Sequence, residues 1–154
     1  MVDQSSLIAE IQSMLLDCGL FAALHPDDCK VAAGYFSIVD MAQGAQIFGE
    51  GDAGTFMCII HYGNVSVRKA DSDGQVREMA LLRKGRSFGE MAVLDGERRS
   101  ASCIAATDCR LLSLGKDSLD KMMNDAPRVA AKIIRVLAVA LSKRLRMVDG
   151  QRLS

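Results

Sequence analysis

Apolar residues at Leu7, Ile8, Ile11, Met14 and Leu15 recur at helical spacing, and Gly19 is placed to stop the helix they predict. Pro26, followed by Asp27 and Asp28, opens a second, short helix, because proline suits the first turn and acids favour the positive N-terminus. The pattern then changes. Glycines at Gly44, Gly54, Gly63, Gly74, Gly85 and Gly96 read as turns between short strands. Between and after them lie β-prone runs at Thr55–Ile60, Val65–Arg68, Cys103–Ala106 and Cys109–Leu114, and Asp71-Ser72-Asp73-Gly74 reads as a hairpin turn. Helical spacing returns at Ser118–Asn124. From Pro127 it continues as one long helix to Val148, with a stripe of Ile134, Leu137, Leu141, Leu145 and Val148. The expected fold is α+β: an antiparallel β jelly-roll barrel flanked by N-terminal helices and a long C-terminal helix. The chain reads as one domain over 1–154, with N-terminal helices in 1–35, the barrel in 36–116 and C-terminal helices in 117–148.

Composition narrows the class. The chain has 154 residues, enough for a real core, with 49% hydrophobic and 25% charged residues. Its five cysteines are odd in number, scattered, and never spaced Cys-x-x-Cys, so reduced buried thiols are expected rather than disulfides or a zinc site. Only His25 and His61 are present, in no metal-ligand spacing, so no metal or cofactor is expected. Residues 1–20 lack a basic start, and Arg135 interrupts the longest apolar helical run. A cytoplasmic protein without a membrane span is the expectation. Net charge is zero overall, but residues 127–154 carry +6 and residues 1–126 carry −6. That basic end reads either as a solvated helix face or as a contact for nucleic acid, a membrane surface or an acidic partner. The absence of an aromatic residue there weakens a nucleic-acid reading.

The densest chemistry lies in Phe88-Gly89-Glu90-Met91-Ala92-Val93-Leu94-Asp95-Gly96-Glu97-Arg98-Arg99-Ser100-Ala101-Ser102. Arg99 offers a rigid fork of donors suited to a phosphate; the alternative is a surface ion pair with Glu97. Glu90, acceptor-only when ionised, suits a hydroxyl and repels a phosphate; the alternative is a structural carboxylate paired with Arg99. Gly89 permits close backbone approach. Residues 90–94 form a helical turn whose free N–H groups suit an anion.

This segment resembles the phosphate-binding cassette of cyclic-nucleotide-binding domains, through Phe88-Gly89-Glu90-Met91-Ala92 and Arg99-Ser100-Ala101-Ser102. Gly49-Glu50-Gly51-Asp52, Tyr62–Val67 and Leu20-Phe21 extend the resemblance, which covers roughly residues 18–145. It implies that Arg99 holds a cyclic phosphate and that Glu90 accepts from the ribose 2′-OH. It also implies that Gly89, Met91, Ala92, Ser100, Ala101 and Ser102 complete the ligand-binding set. Val65, Val67, Met79 and Leu82 are candidates for an apolar wall beside the base, with plain barrel core as the alternative. Leu141, Arg144 and Leu145 are candidates to cap the base from the last helix, with a face turned to solvent or to a second copy as the alternative.

The implied function is a regulatory module that binds cyclic AMP and signals to an effector protein through its C-terminal helix. Ser100 stands where threonine favours guanine in this family, so cyclic GMP stays open, as does cyclic di-GMP. An interaction domain that keeps the fold without binding nucleotide is the other alternative. No catalytic motif appears, so an enzyme is not expected. Only Asp149–Ser154 remain past the expected end of the last helix, so no DNA-binding domain is expected. A homodimer through the last helix is compatible with the apolar stripe.

Overall fold

The computed structural model describes residues 3–153, and side chains as far as Met147. It has the expected architecture. Helices α1 (Gln4–Asp17) and α2 (Pro26–Ala33) lead into β1 (Ser37–Met41), β2 (Gln46–Phe48), β3 (Phe56–Tyr62), β4 (Val65–Ala70), β5 (Val76–Leu82) and β6 (Ser87–Phe88). The short α3 (Glu90–Asp95) follows, then β7 (Ser102–Ala105), β8 (Cys109–Gly115), α4 (Lys116–Asp125) and α5 (Pro127–Leu153). The strands form two antiparallel four-stranded sheets, ordered β1-β8-β3-β6 and β2-β7-β4-β5.

The apolar run of β3 is buried on both faces, which is why it does not alternate with polar residues. Met57 and Ile59 point to the helices, where they meet Leu112 and Leu114 of β8 and the buried faces of α1, α2, α4 and α5. Cys58 and Ile60 point between the sheets, where they join Phe48, Val65, Phe88, Cys103 and Leu111. The first sheet therefore separates two cores, and α3 lies beside both: Phe88 before it belongs to one and Val93 within it to the other.

Two helical expectations need correction. The last helix extends past Val148 to Leu153, and its buried face is Val129, Ala130, Ile133 and Leu137 rather than the full stripe. Leu145 is 63% exposed, because α5 projects beyond the core there; the side chain of Val148 lies outside the described residues. An ion pair anchors the first half of α5: Lys132 Nζ lies 2.8 Å from Oδ2 of the buried Asp28 on α2.

Gly54 also departs from its expected role. The other five spaced glycines take positive φ; Gly44, Gly63, Gly74 and Gly85 lie in turns between strands, whereas Gly96 caps the C-terminus of α3, and Gly54 alone of the six does not take positive φ. It is a packing glycine. A Cβ there would collide with the Ala92 side chain and lie 3.1 Å from the Glu97 carbonyl oxygen. Its missing side chain lets α3 seat against the chain entering β3.

Candidate functional site

Gly89 sets the site. It caps α3 in the left-handed region at φ 78°, with no side chain capping the helix. The first-turn N–H groups of α3 therefore have no intrahelical partner and no cap. A Cβ at Gly89 would lie 2.6 Å from Arg99 Nη1, so the position is restricted both by backbone and by contact.

Arg99 is 4% exposed, which excludes the surface pairing with Glu97 weighed from sequence. Its Nη1 donates to the Gly89 carbonyl at 2.9 Å, and Nη2 donates to the Phe56 carbonyl. The guanidinium lies over the Phe48 ring at 3.8 Å and the Phe56 ring at 4.9 Å. Burial pushes its pKa below the ordinary arginine value. The main chain is fixed too: Arg99 N–H donates to the Asp52 carbonyl, and Gly51 N–H donates to that of Arg99. The Gly49–Asp52 turn thus serves to fix the Arg99 backbone. Nε of Arg99 is buried without a protein partner among the described residues, leaving one donor of a buried cation uncommitted.

Glu90, the first residue of α3, is 1% exposed. Its partner is not Arg99, as one alternative had it, but Arg144 of α5. Arg144 Nη2 lies 3.0 Å from Glu90 Oε1, and the Ser87 hydroxyl donates to the same oxygen at 3.2 Å. Arg144 Nη2 also donates to the Ser87 carbonyl at 3.2 Å.

These groups face one cavity of about 530 Å³, within the range of small-ligand sites. Gly89, Glu90, Met91, Ala92, Arg99, Ser100 and Ala101 all line it, as the cassette reading expects. Ser102 does not. Its hydroxyl accepts from the Glu50 N–H at 2.8 Å, so it braces the neighbouring turn instead.

Val67 and Leu82 form part of the apolar wall with Ala80, while Val65 and Met79 do not. Val65 is fully buried between the sheets, and Met79 is 64% exposed. Met79 precedes Ala80 on β5, and successive residues of a strand face opposite ways. From the last helix, Arg144 reaches the cavity, whereas Leu141 does not line it and Leu145 is turned to solvent. Arg144 enters as a partner of Glu90 rather than as the free stacking surface expected of it.

Sequence reasoning missed Phe48, Ala80, Arg86 and Cys103 as lining residues, and Phe56 as the second ring beneath Arg99. The position of Phe48, one residue before the Gly49–Asp52 turn, was the available signal. Of the two histidines, His25 caps α2 through Nδ1 and His61 lies on β3, 4.0 Å from Asp17; neither lines this cavity. Among the described residues, no helix is long and apolar enough to cross a membrane.

A buried cation backed by two aromatic rings, a buried carboxylate and an uncapped helix N-terminus thus share one cavity with an apolar wall. Comparison with known proteins gives the same class. Residues 38–126 match the family described as cyclic nucleotide-binding domain, and the chain belongs to that family. It is 37% identical over 130 residues to the cyclic AMP receptor protein of Thermus thermophilus, covering 84% of this chain and 58% of that protein. It is 31% identical over 146 residues to the cGMP-dependent protein kinase of Toxoplasma gondii, covering 95% of this chain but 14% of the kinase. A solved cyclic nucleotide-binding domain from Methylobacillus flagellatus KT superposes with a TM-score of 0.83 at 26% identity, covering 97% of this chain and 84% of that one. The chain spans about three fifths of the length of the first bacterial relatives it matches.

Proposed function

We propose that this chain is a receptor module for a cyclic purine mononucleotide, with cyclic AMP as the first choice, and that occupancy is reported through α5. The observation that carries the reading is Arg99. A guanidinium at 4% exposure, backed by Phe48, is costly to bury unless an anion or fixed acceptors face it. Here it borders a cavity that also holds the first-turn N–H groups of α3. In this reading the phosphate sits between Arg99 and that turn, with Ser100 and Ala101 contributing backbone N–H groups.

The ribose lies toward Glu90, which accepts from its 2′-OH and keeps phosphate away by charge. The base lies against Val67, Ala80 and Leu82. Arg144 links this pocket to α5, so a ligand that engages Glu90 acts on a contact α5 already makes. A ligand shifts the helix only by its difference in affinity for two helix positions. The output is a changed α5 surface for an effector protein or a second copy. No covalent step and no resident metal or cofactor enters this account.

Hydrogen–deuterium exchange with each of cyclic AMP, cyclic GMP and cyclic di-GMP tests the reading. The expected result is protection of residues 88–102 by one nucleotide, with altered exchange in 127–147. Exchange in 127–147 unchanged by a nucleotide that protects the cassette would remove the signalling half. No protection by any of the three would remove the binding half and favour the nucleotide-independent interaction domain.

A further inference from the structure

Residues 99–102 are fastened to the barrel at three points. The Arg99 N–H and carbonyl are both taken by the turn at residues 49–52. The Ser102 hydroxyl accepts from the Glu50 N–H at 2.8 Å. Between them, the Ser100 carbonyl accepts from Lys69 Nζ at 3.1 Å. The N–H groups of Ser100 and Ala101 have no protein acceptor among the described residues, and both residues line the cavity.

The Lys69 contact fixes one peptide plane. The Ser100 carbonyl and the Ala101 N–H belong to the same planar trans peptide, so they point in opposite directions. Holding the oxygen on the β4 side holds the N–H on the other side. Turning the plane over would put a carbonyl oxygen where the N–H had been, and a carbonyl repels an anion that an N–H attracts. Lys69 is placed for this by the sheet. Arg68 stands opposite Ser102 at the end of the β4–β7 ladder, so the next residue of β4 emerges where the cassette backbone leaves the sheet. Lys69 itself does not line the cavity, so it acts through the peptide rather than on the ligand.

We infer that Lys69 is a positioning residue for phosphate recognition: by holding the Ser100 carbonyl it presents the Ala101 N–H to one exocyclic oxygen of the ligand phosphate. The inference rests on the cyclic-nucleotide reading and deepens it. A donor set before the ligand arrives needs no reorganisation on binding. Without Lys69 the plane is free to turn, and affinity falls at that one phosphate oxygen.

The test is a cycle between residue and ligand atom. Kd is measured by calorimetry for the preferred cyclic nucleotide and for its two phosphorothioate diastereomers, in which sulfur, a weak acceptor, replaces one or the other exocyclic oxygen. The proteins are wild type, Lys69→Met, Lys69→Arg and Arg83→Met. Arg83 is exposed just after β5 and controls for lost charge. In wild type, the diastereomer with sulfur facing Ala101 is expected to bind about fivefold or more weakly than the parent, the worth of one hydrogen bond. In Lys69→Met the parent should weaken by about that factor. The penalty of that diastereomer should shrink below about twofold, with the penalty of the other unchanged. Lys69→Arg, which keeps a donor, should recover most of the wild-type pattern, and Arg83→Met should keep all of it. A role through charge or fold alone would weaken all three ligands by one factor and leave both penalties unchanged. That result, or a wild type that binds both diastereomers as tightly as the parent, overturns the inference and leaves the receptor reading standing. Failure of wild type to bind the parent nucleotide overturns both.

Discussion

Arg99→Ala tests two claims at once, because Arg99 serves the fold as well as the site. In the folded chain the side chain satisfies the carbonyls of Gly89 and Phe56 and covers the Phe48 ring at 3.8 Å. Leaving buried acceptors unpaired costs about 1–3 kcal/mol each. Losing a cation–π contact costs about 0.5–2 kcal/mol more. Relief of burying the cation opposes both terms, since desolvation already holds its pKa low. A net loss of about 2–4 kcal/mol follows. At a urea slope of about 2 kcal/mol/M, the unfolding midpoint falls by about 1–2 M. Nucleotide at one hundred times Kd adds about 2.7 kcal/mol to the wild type and nothing to a variant that has lost the phosphate contact. The gap between the two midpoints should therefore widen by a further ~1.4 M when nucleotide is added. Urea titrations followed by far-ultraviolet circular dichroism, with and without nucleotide, give both numbers. Equal midpoints in the absence of nucleotide would refute the structural role. A gap that nucleotide does not widen would refute the phosphate role.

Gly54→Ala should destabilise the fold by about 1–3 kcal/mol, as overpacking does, because the new methyl meets Ala92 on α3; an unchanged thermal midpoint would show that α3 is not seated on that strand. Asp28, beside Lys132, has its carboxyl pKa held below the ordinary carboxylate range by that hydrogen bond. Its stabilising contribution is thus present at neutral pH and is lost as pH falls through the lowered folded value. Asp28→Asn should be less stable than wild type at pH 7, with the difference closing in acid; a constant difference across pH 2–7 would contradict this. Burial pushes the thiols of Cys58 and Cys103 up to about 12. Iodoacetamide at pH 8 should therefore leave both unmodified in folded protein and label both in urea, as read by peptide mass spectrometry. Rapid labelling of either in folded protein would count against the packing between the sheets.

Much of this molecule is legible from local signals. Helices α1 and α2, the strands β3, β4, β7 and β8, and the cassette helix follow from spacing, caps and turn residues that act within a few positions. Facing is harder. Met79 and Leu82 are both apolar, but only the register of β5 on β4, Val65 against Leu82 and Val67 against Ala80, decides which side reaches the cavity. Partners far apart in sequence are harder still. Nothing local to Arg99 announces that Phe48 and Phe56 will lie beneath it, or that Phe56 will lend a carbonyl across 43 positions. Arg144 shows the same limit. Its place on the last helix was readable, but its carboxylate partner, Glu90 on α3, lies far earlier in the chain and is met only in the folded structure. Ser102 carried a motif-level expectation of ligand contact; its hydroxyl accepts from the Glu50 amide, and the residue does not line the cavity.

The central claim is that the cavity beside Arg99 and Glu90 takes one cyclic purine mononucleotide. Isothermal titration calorimetry on nucleotide-stripped protein with cyclic AMP, cyclic GMP and cyclic di-GMP tests it most directly. One site per chain is expected, micromolar or tighter, for a cyclic mononucleotide, with cyclic AMP binding tightest. No heat and no saturable binding with any of the three would contradict it.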